Sequence, residues 1–219
     1  MPYKITIFFT SAMQIIQKYF PALTQEQAAQ FEALGPLYTD WNAKINLISR
    51  KDIDHLYEHH ILHSLAIAKF LHFKPGTQIM DVGTGGGFPG IPLAILFPDC
   101  DFLLLDSIGK KLKAAGDIAQ QIGLKNVRFC HDRVENEKGK FDFVVSRAVM
   151  PLSDLARLCR KNIAAAQHNA LPNGIICLKG GELQSETMPF KNKVSQTNLS
   201  DYFEEAFFET KKVVYLPLL

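Results

Sequence analysis

The chain has 219 residues, 47% of them hydrophobic, and a net charge of +2. That is enough apolar material for a sizeable core, in one domain or one domain with an extension. The near-neutral balance neither demands nor excludes a nucleic-acid partner, and no apolar run is long enough to span a membrane.

The N-terminal Ile5-Thr6-Ile7-Phe8-Phe9 run is too short for a signal peptide, so a soluble, cytoplasmic protein is expected. Residues up to Phe73 read as helical. Thr24 and Gln27 fit a capping box, followed by Phe31, Leu34 and Leu37-Tyr38 at helical spacing. Gly35-Pro36 is expected to kink or split that helix. A second helix is predicted from Asp54 to Leu71. From Thr77 strands and helices alternate. Strands are predicted over Gln78–Val82, Phe102–Leu105 (ending in Asp106), Asn126–Cys130, Phe141–Val145 and Ile175–Leu178. Helices are predicted over Pro89–Phe97, from Ile108 to Ile122, and after Ser153, a candidate cap. Near-continuous apolar strands separated by helices indicate a parallel sheet covered on both faces. The tail reads as a hairpin of Tyr202–Glu209 and Lys212–Leu216, which would add antiparallel strands. The division expected is a helical extension, 1–73, and an α/β domain, 74–219, packed as one unit.

Cys100, Cys130, Cys159 and Cys177 are widely spaced, with no Cys-x-x-Cys pair. They read as small core residues in a reducing compartment rather than as a zinc site.

The most informative segment is Asp81-Val82-Gly83-Thr84-Gly85-Gly86-Gly87-Phe88-Pro89-Gly90, a strand, a glycine loop and a helix start. Such a unit holds an adenosine-bearing cofactor in doubly wound folds. Gly85, Gly87 and Gly90 also fit the dinucleotide fingerprint. Asp81, however, would repel a pyrophosphate at the helix start and suits a cationic ligand such as S-adenosylmethionine; the plainer reading is that it caps the loop. Asp106 can accept from ribose hydroxyls or cap the next helix. The loop His131-Asp132-Arg133-Val134-Glu135 would lie beside the adenine or form a solvated turn. No Tyr-x-x-x-Lys pair for hydride transfer is present.

The run from Asp81 through Gly-Phe-Pro-Gly-Ile-Pro to Leu93 resembles the first motif of the bacterial small-subunit rRNA guanine-N7 methyltransferases, whose older name is glucose-inhibited division protein B. Leu104–Lys111, Val144–Ala148 and Leu178-Lys179-Gly180 resemble three further motifs, and Trp41-Asn42 through Ser49 and His60–Ser64 resemble upstream ones. The likeness covers roughly residues 40 to 215. It implies a class I S-adenosylmethionine-dependent methyltransferase fold: a Rossmann-like, mostly parallel seven-stranded sheet with an antiparallel C-terminal strand and an N-terminal helical extension. It implies methyl transfer to N7 of one guanine in the decoding region of 16S rRNA, with S-adenosylhomocysteine as product. The partner would be 16S rRNA or the small ribosomal subunit, and a monomer is expected. Gly83, Phe88, Val134, Glu135 and Arg147 match the family's cofactor contacts; Asp81, Gly85 and Asp106 join them as candidates. Asn46, His60, Arg147 and Lys179 are candidates for the substrate. The family often carries Arg and Asp where this chain has His59 and His63, which puts a fixed ion pair there in doubt. His55, His59 and His63 instead form a stripe at i, i+4 spacing that reads as solvated or RNA-facing rather than as a metal site.

Guanine N7 carries an in-plane lone pair and no proton, so direct in-line displacement needs no general base and no covalent intermediate. Alignment and water exclusion are what a protein can offer. The sequence shows no nucleophile and no acid–base dyad, and Ser146-Arg147-Ala148 replaces the Asn/Asp-Pro-Pro-aromatic run of amine methylases. Arg147 is expected to hold a cofactor carboxylate, a phosphate or guanine acceptors, unless it forms only a surface ion pair. Lys44, Arg50, Lys51, Lys110, Lys111, Lys113, Arg133 and Lys179 are a candidate phosphate-binding group. The same fold also serves methyl transfer to another RNA, a protein or a small molecule.

Overall fold

A computed structural model describes residues 11–147 and 149–218. The N-terminal Ile5–Phe9 run and Ala148 of the Ser-Arg-Ala motif lie outside the described residues. Two helices come first among the described residues, α1 (Ser11–Tyr19) and α2 (Gln25–Lys44). The Thr24 hydroxyl accepts from the Gln27 amide, and the Gln27 side chain accepts from the Thr24 amide, so both orphan donors are satisfied. Gln27 also donates to the carbonyls of Ile95 and Leu96 at the end of a sheet-covering helix.

The expected break at Gly35-Pro36 does not occur: α2 runs through Pro36. Proline has no N–H for the carbonyl one turn earlier. The Tyr57 hydroxyl lies 3.0 Å from that Glu32 carbonyl and 2.9 Å from that of Phe31. Gly35 leaves the room, since a Cβ there would stand 3.1 Å from the Tyr57 oxygen.

The next helical run is not one α-helix. A 3₁₀ turn (Ile53–His55) leads into a π-helical segment (Leu56–Leu62), then α3 (His63–Phe70). The wider π turn carries His59 and His60, and such segments recur at functional sites.

The sheet comprises β1 (Gln78–Val82), β2 (Asp101–Asp106), β3 (Val127–His131), β4 (Phe143–Arg147), β5 (Gly174–Gly180), β6 (Ser195–Asn198) and β7 (Lys211–Pro217). Their order is β3-β2-β1-β4-β5-β7-β6. The first five are parallel; β7 runs antiparallel to β5, and β6 antiparallel to β7. Helices α4 (Gly90–Leu96), α5 (Gly109–Gln121), α6 (Leu152–Cys159) and the short α7 (Gln184–Thr187) complete the connections. The predicted Ser153 cap is absent: α6 starts at Leu152, whose amide is taken by Glu186.

The tail hairpin forms with a different partner. Tyr202–Glu209 contains a 3₁₀ turn, Ala206–Phe208, and buries Phe203 and Phe208. The strand beside β7 is Ser195–Asn198. Its polar residues carry no apolar alternation, because it is a largely exposed edge.

One buried cluster joins Phe31, Leu34 and Tyr38 of α2 and Leu65 of α3 to Ile79, Phe102 and Ile118 of the α/β part. Each such side chain contributes about 1.5–3 kcal/mol by leaving water. A second cluster, with Met80, Val144, Leu155 and Val214, covers the other face of the sheet. Strand order reverses between β1 and β4, which opens a crevice at the C-terminal strand ends.

Candidate active site

The glycine loop begins where β1 ends. Gly83 adopts φ +68, which side chains other than glycine's rarely accept, and Val149 packs against it. The amides of Gly83 and Thr84 donate to the Leu105 carbonyl, anchoring the loop to β2. The Tyr38 hydroxyl of α2 donates to the Gly86 carbonyl at 2.7 Å. The helical extension therefore braces the loop directly.

Asp81 is fully buried. One carboxylate oxygen accepts from Thr84 Oγ1 at 2.5 Å and from the Gly90 amide at 2.8 Å. This is the capping role that the sequence leaves open. The other oxygen, Oδ1, is buried without a partner. Burial pushes the group up to about 7, against the Thr84 and Gly90 bonds and the charge of Arg147. Asp106 also caps backbone, accepting from the amides of Gly85 at 2.6 Å and Ile108 at 2.8 Å.

A cleft of about 390 Å³ lies at the C-terminal ends of β1, β2 and β3 and after β4. Gly83, Asp106, Val134 and Glu135 line it together, with Ser107, Ile108, Arg133, Val149 and Met150. The cleft and the glycine turn with its positive φ fit an adenosine-bearing ligand; Asp81 and Arg147 do not line the cleft, and the unpaired Asp81 oxygen is enclosed by protein. Gly85 supports the cleft through its bond to Asp106. Phe88 is buried behind it, stacked on Tyr38 with ring centroids 4.7 Å apart.

Arg147 ends β4 half-buried, its guanidinium 5.0 Å above the Phe88 ring. Nη1 donates to the His59 carbonyl, and Nη2 lies 3.0 Å from His60 Nδ1. His60 Nε2 lies 2.5 Å from Asp52 Oδ2, and His59 Nδ1 lies 2.6 Å from Asp52 Oδ1. An arginine can only donate, so His60 accepts at Nδ1 and its Nε2–H donates a hydrogen bond to Asp52. Burial and the Arg147 charge push His60 down to about 4, which keeps it neutral for this role. Burial lowers Arg147 to about 10, so it stays charged at neutral pH.

Lys179 is buried rather than presented to solvent. Its ammonium meets Glu186 at 2.6 Å and the Met150 carbonyl at 2.9 Å, holding the loop that walls the cleft. Asn46 is exposed; the buried amide nearby is Asn42, which accepts from Ile48. Arg50, Lys51, Lys110, Lys113 and Arg133 are exposed, Lys111 is half-buried, and Lys44 pairs with Asp40. In the histidine stripe, His55 and His59 stack, while His63 is buried against Phe207 and Phe208. Among the described residues no group of three or more His, Cys, Asp or Glu is placed to hold a metal, and no helix is long and apolar enough to cross a membrane. The four cysteines are unpaired. Burial pushes Cys100 up to about 11 and Cys159 and Cys177 up to about 12, which leaves these thiols poor nucleophiles.

Sequence reasoning missed Asp52, Tyr38 and Glu186. Tyr38 acts on backbone at Gly86, while Asp52 and Glu186 reach His59, His60 and Lys179 across irregular turns, so no motif spacing marks them.

The family model described as rRNA small subunit methyltransferase G matches residues 27–214. The chain is 68% identical to ribosomal RNA small subunit methyltransferase G of Bacteroides thetaiotaomicron, over 93% of this chain and 98% of the relative. It is 67% identical to the protein of the same name from Phocaeicola vulgatus, over 94% of this chain and 99% of that one. Among solved structures, the precorrin-6y C5,15-methyltransferase from Geobacter metallireducens superposes with a TM-score of 0.55 at 12% identity. That match covers 79% of this chain and 91% of the other, and bears on the fold.

Proposed function

Because the chain belongs to the rRNA small subunit methyltransferase G family, and so is an S-adenosylmethionine-dependent rRNA methyltransferase, we propose that its target atom is N7 of one guanine in the decoding region of 16S rRNA. It acts as a cytoplasmic monomer on 16S rRNA or the small subunit. Residues 1–73 and 74–219 work as one packed unit.

The observation that carries this reading is Arg147. A fixed guanidinium stands at the end of β4, oriented by His60 and Asp52 and backed by Phe88. Among the described residues no activated thiol accompanies it, as pyrimidine-C5 chemistry would need. When bound, the cofactor supplies an electrophilic methyl on a sulfonium. Gly83, Asp106, Val134 and Glu135 would hold its adenosine portion. Asp81 and Arg147 supply the opposite charges that its ammonium and carboxylate require. Guanine N7 presents its lone pair without deprotonation, so the protein contributes alignment and exclusion of water. His60 acts through Arg147 as a positioning residue, and Lys179 acts through the Met150 loop.

The test uses 16S rRNA or small subunits from cells lacking the gene, incubated with the protein and methyl-labelled S-adenosylmethionine. One 7-methylguanosine in the decoding region is expected. Its loss in a folded Arg147→Ala variant is expected too; near-normal turnover by that variant would remove Arg147 from the mechanism. Label at another RNA position, or none in RNA despite S-adenosylhomocysteine binding, would overturn the target.

A further inference from the structure

Three rings form a ladder on the surface beside Arg147. His55 stacks on His59 with centroids 4.5 Å apart and planes 16° apart. His59 stacks on Phe207 at 3.9 Å and 13°. The Lys211 ammonium lies 4.7 Å from the Phe207 centroid at the far end of the ladder. His59 is the only ring against His55 among the described residues, and His55 is exposed.

The ladder is anchored rather than loose. Asp52 fixes the His59 ring through Nδ1 at 2.6 Å, and the His59 carbonyl accepts from Arg147 at 3.3 Å. His63, buried on the next turn, meets Phe207 edge-on at 5.5 Å. One carboxylate, Asp52, thus holds both His59 of the ladder and His60 behind Arg147. Immediately before it, Arg50 and Lys51 are exposed, and no acid pairs with either among the described residues.

We propose that the outer face of His55 is a stacking platform for an unpaired base of the rRNA substrate, next to the position of the target guanine. Unpaired RNA bases are received on aromatic faces, histidine included. A base placed there would become the fourth layer of an existing stack, while Arg50 and Lys51 meet its flanking phosphates. The ladder also gives the histidine stripe a use that needs no metal. This inference rests on the rRNA substrate reading, and the experiment separates the two.

Binding of unmethylated, transcribed 16S rRNA is measured for the unaltered protein and for the His55→Ala, His55→Phe and His55→Trp variants. S-adenosylhomocysteine affinity and thermal midpoint are measured for each. His55→Ala is expected to weaken rRNA binding about five- to tenfold, at the lower end of base–aromatic stacking. The loss should appear in KM for rRNA, with S-adenosylhomocysteine affinity unchanged. His55→Phe, which keeps a π face and loses the ring nitrogens, is expected to bind like the unaltered protein. The His55→Trp variant should show indole quenching on adding rRNA beyond that of Trp41 in the unaltered protein. Unchanged rRNA affinity in His55→Ala would overturn the platform alone. So would a parallel loss of rRNA binding, cofactor binding and thermal midpoint, since the ladder would then be only structural. No rRNA binding by the unaltered protein would overturn the substrate reading and the platform together.

Discussion

Arg147 takes its position from residues that precede it by more than eighty places in the chain. Asp52 accepts from His60, and His60 accepts from Arg147. Burial pushes Asp52 up, but the bonds from His59 and His60 outweigh it and hold the carboxyl below its usual range. Removing the acceptor with Asp52→Ala frees the His60 ring and lets the guanidinium shift. The expected loss is on the order of 10- to 100-fold in kcat/KM, because small misplacements of aligning groups are costly. Retention of full kcat/KM in that variant would show that Arg147 orients itself. Burial pushes His60 down to about 4 and His63 down to about 3. Between about pH 4 and 6.5 the unfolded chain binds two protons that the folded one does not, so stability rises with pH over that window. Asp81 works in the opposite sense. Its folded pKa of about 7 lies above the unfolded value of 3.8, so its contribution is present at low pH and is lost as pH rises towards 7. Two histidines against one carboxyl leave a net gain from pH 4.5 to 6.5. Urea midpoints at the two pH values measure it, and His63→Leu should flatten the slope. A steeper slope in that variant would contradict the assignment.

At the scale of elements, the strand–loop–helix unit is set by close approach. A Cβ on Gly90 would lie 2.7 Å from the Leu104 side chain and 2.8 Å from Asp81 Oδ2. Gly90→Ala is therefore expected to destabilise by about 1–3 kcal/mol, and to weaken S-adenosylhomocysteine binding because Asp81 must move. Chemical denaturation and calorimetric titration read the two effects; a variant with unchanged midpoint and affinity would show that α4 can retreat. Helix α2 and β6 show where local pattern misleads. Pro36 predicts a break, yet Tyr57, from a different element, supplies a donor to the carbonyl that proline leaves unpaired. Residues 202 to 209 carry the aromatics of a strand, but Phe203 and Phe208 pack inward from turns, while polar Ser195–Asn198 takes the edge. Hydrophobicity reports burial, and an exposed edge strand offers none to report.

For the whole molecule, the helical extension is part of the core and of the site. Phe31, Leu34 and Tyr38 are fully buried in the cluster that also holds Phe102 and Ile118, and Tyr38 holds Gly86. Deleting residues 1–73 is expected to yield a chain that neither folds cooperatively nor binds S-adenosylhomocysteine. A sharp thermal transition in residues 74–219 alone would show instead that the α/β part folds independently.

The sequence by itself determined the parallel sheet, the glycine loop with its acid, the acid at the end of β2 and the arginine at the end of β4. These depend on contiguous residues, where apolar runs fix strands and glycines fix the turn, and four of the proposed cofactor residues do line one cleft. Only the tertiary structure decided that Asp81 keeps one oxygen unpaired, that Lys179 is held by Glu186, and that Asp52 aligns both His59 and His60. The partners of Asp52 and Lys179 lie only seven or eight residues away, but the turns between them keep no single helix or strand period, so the side chains meet only once the fold sets those turns.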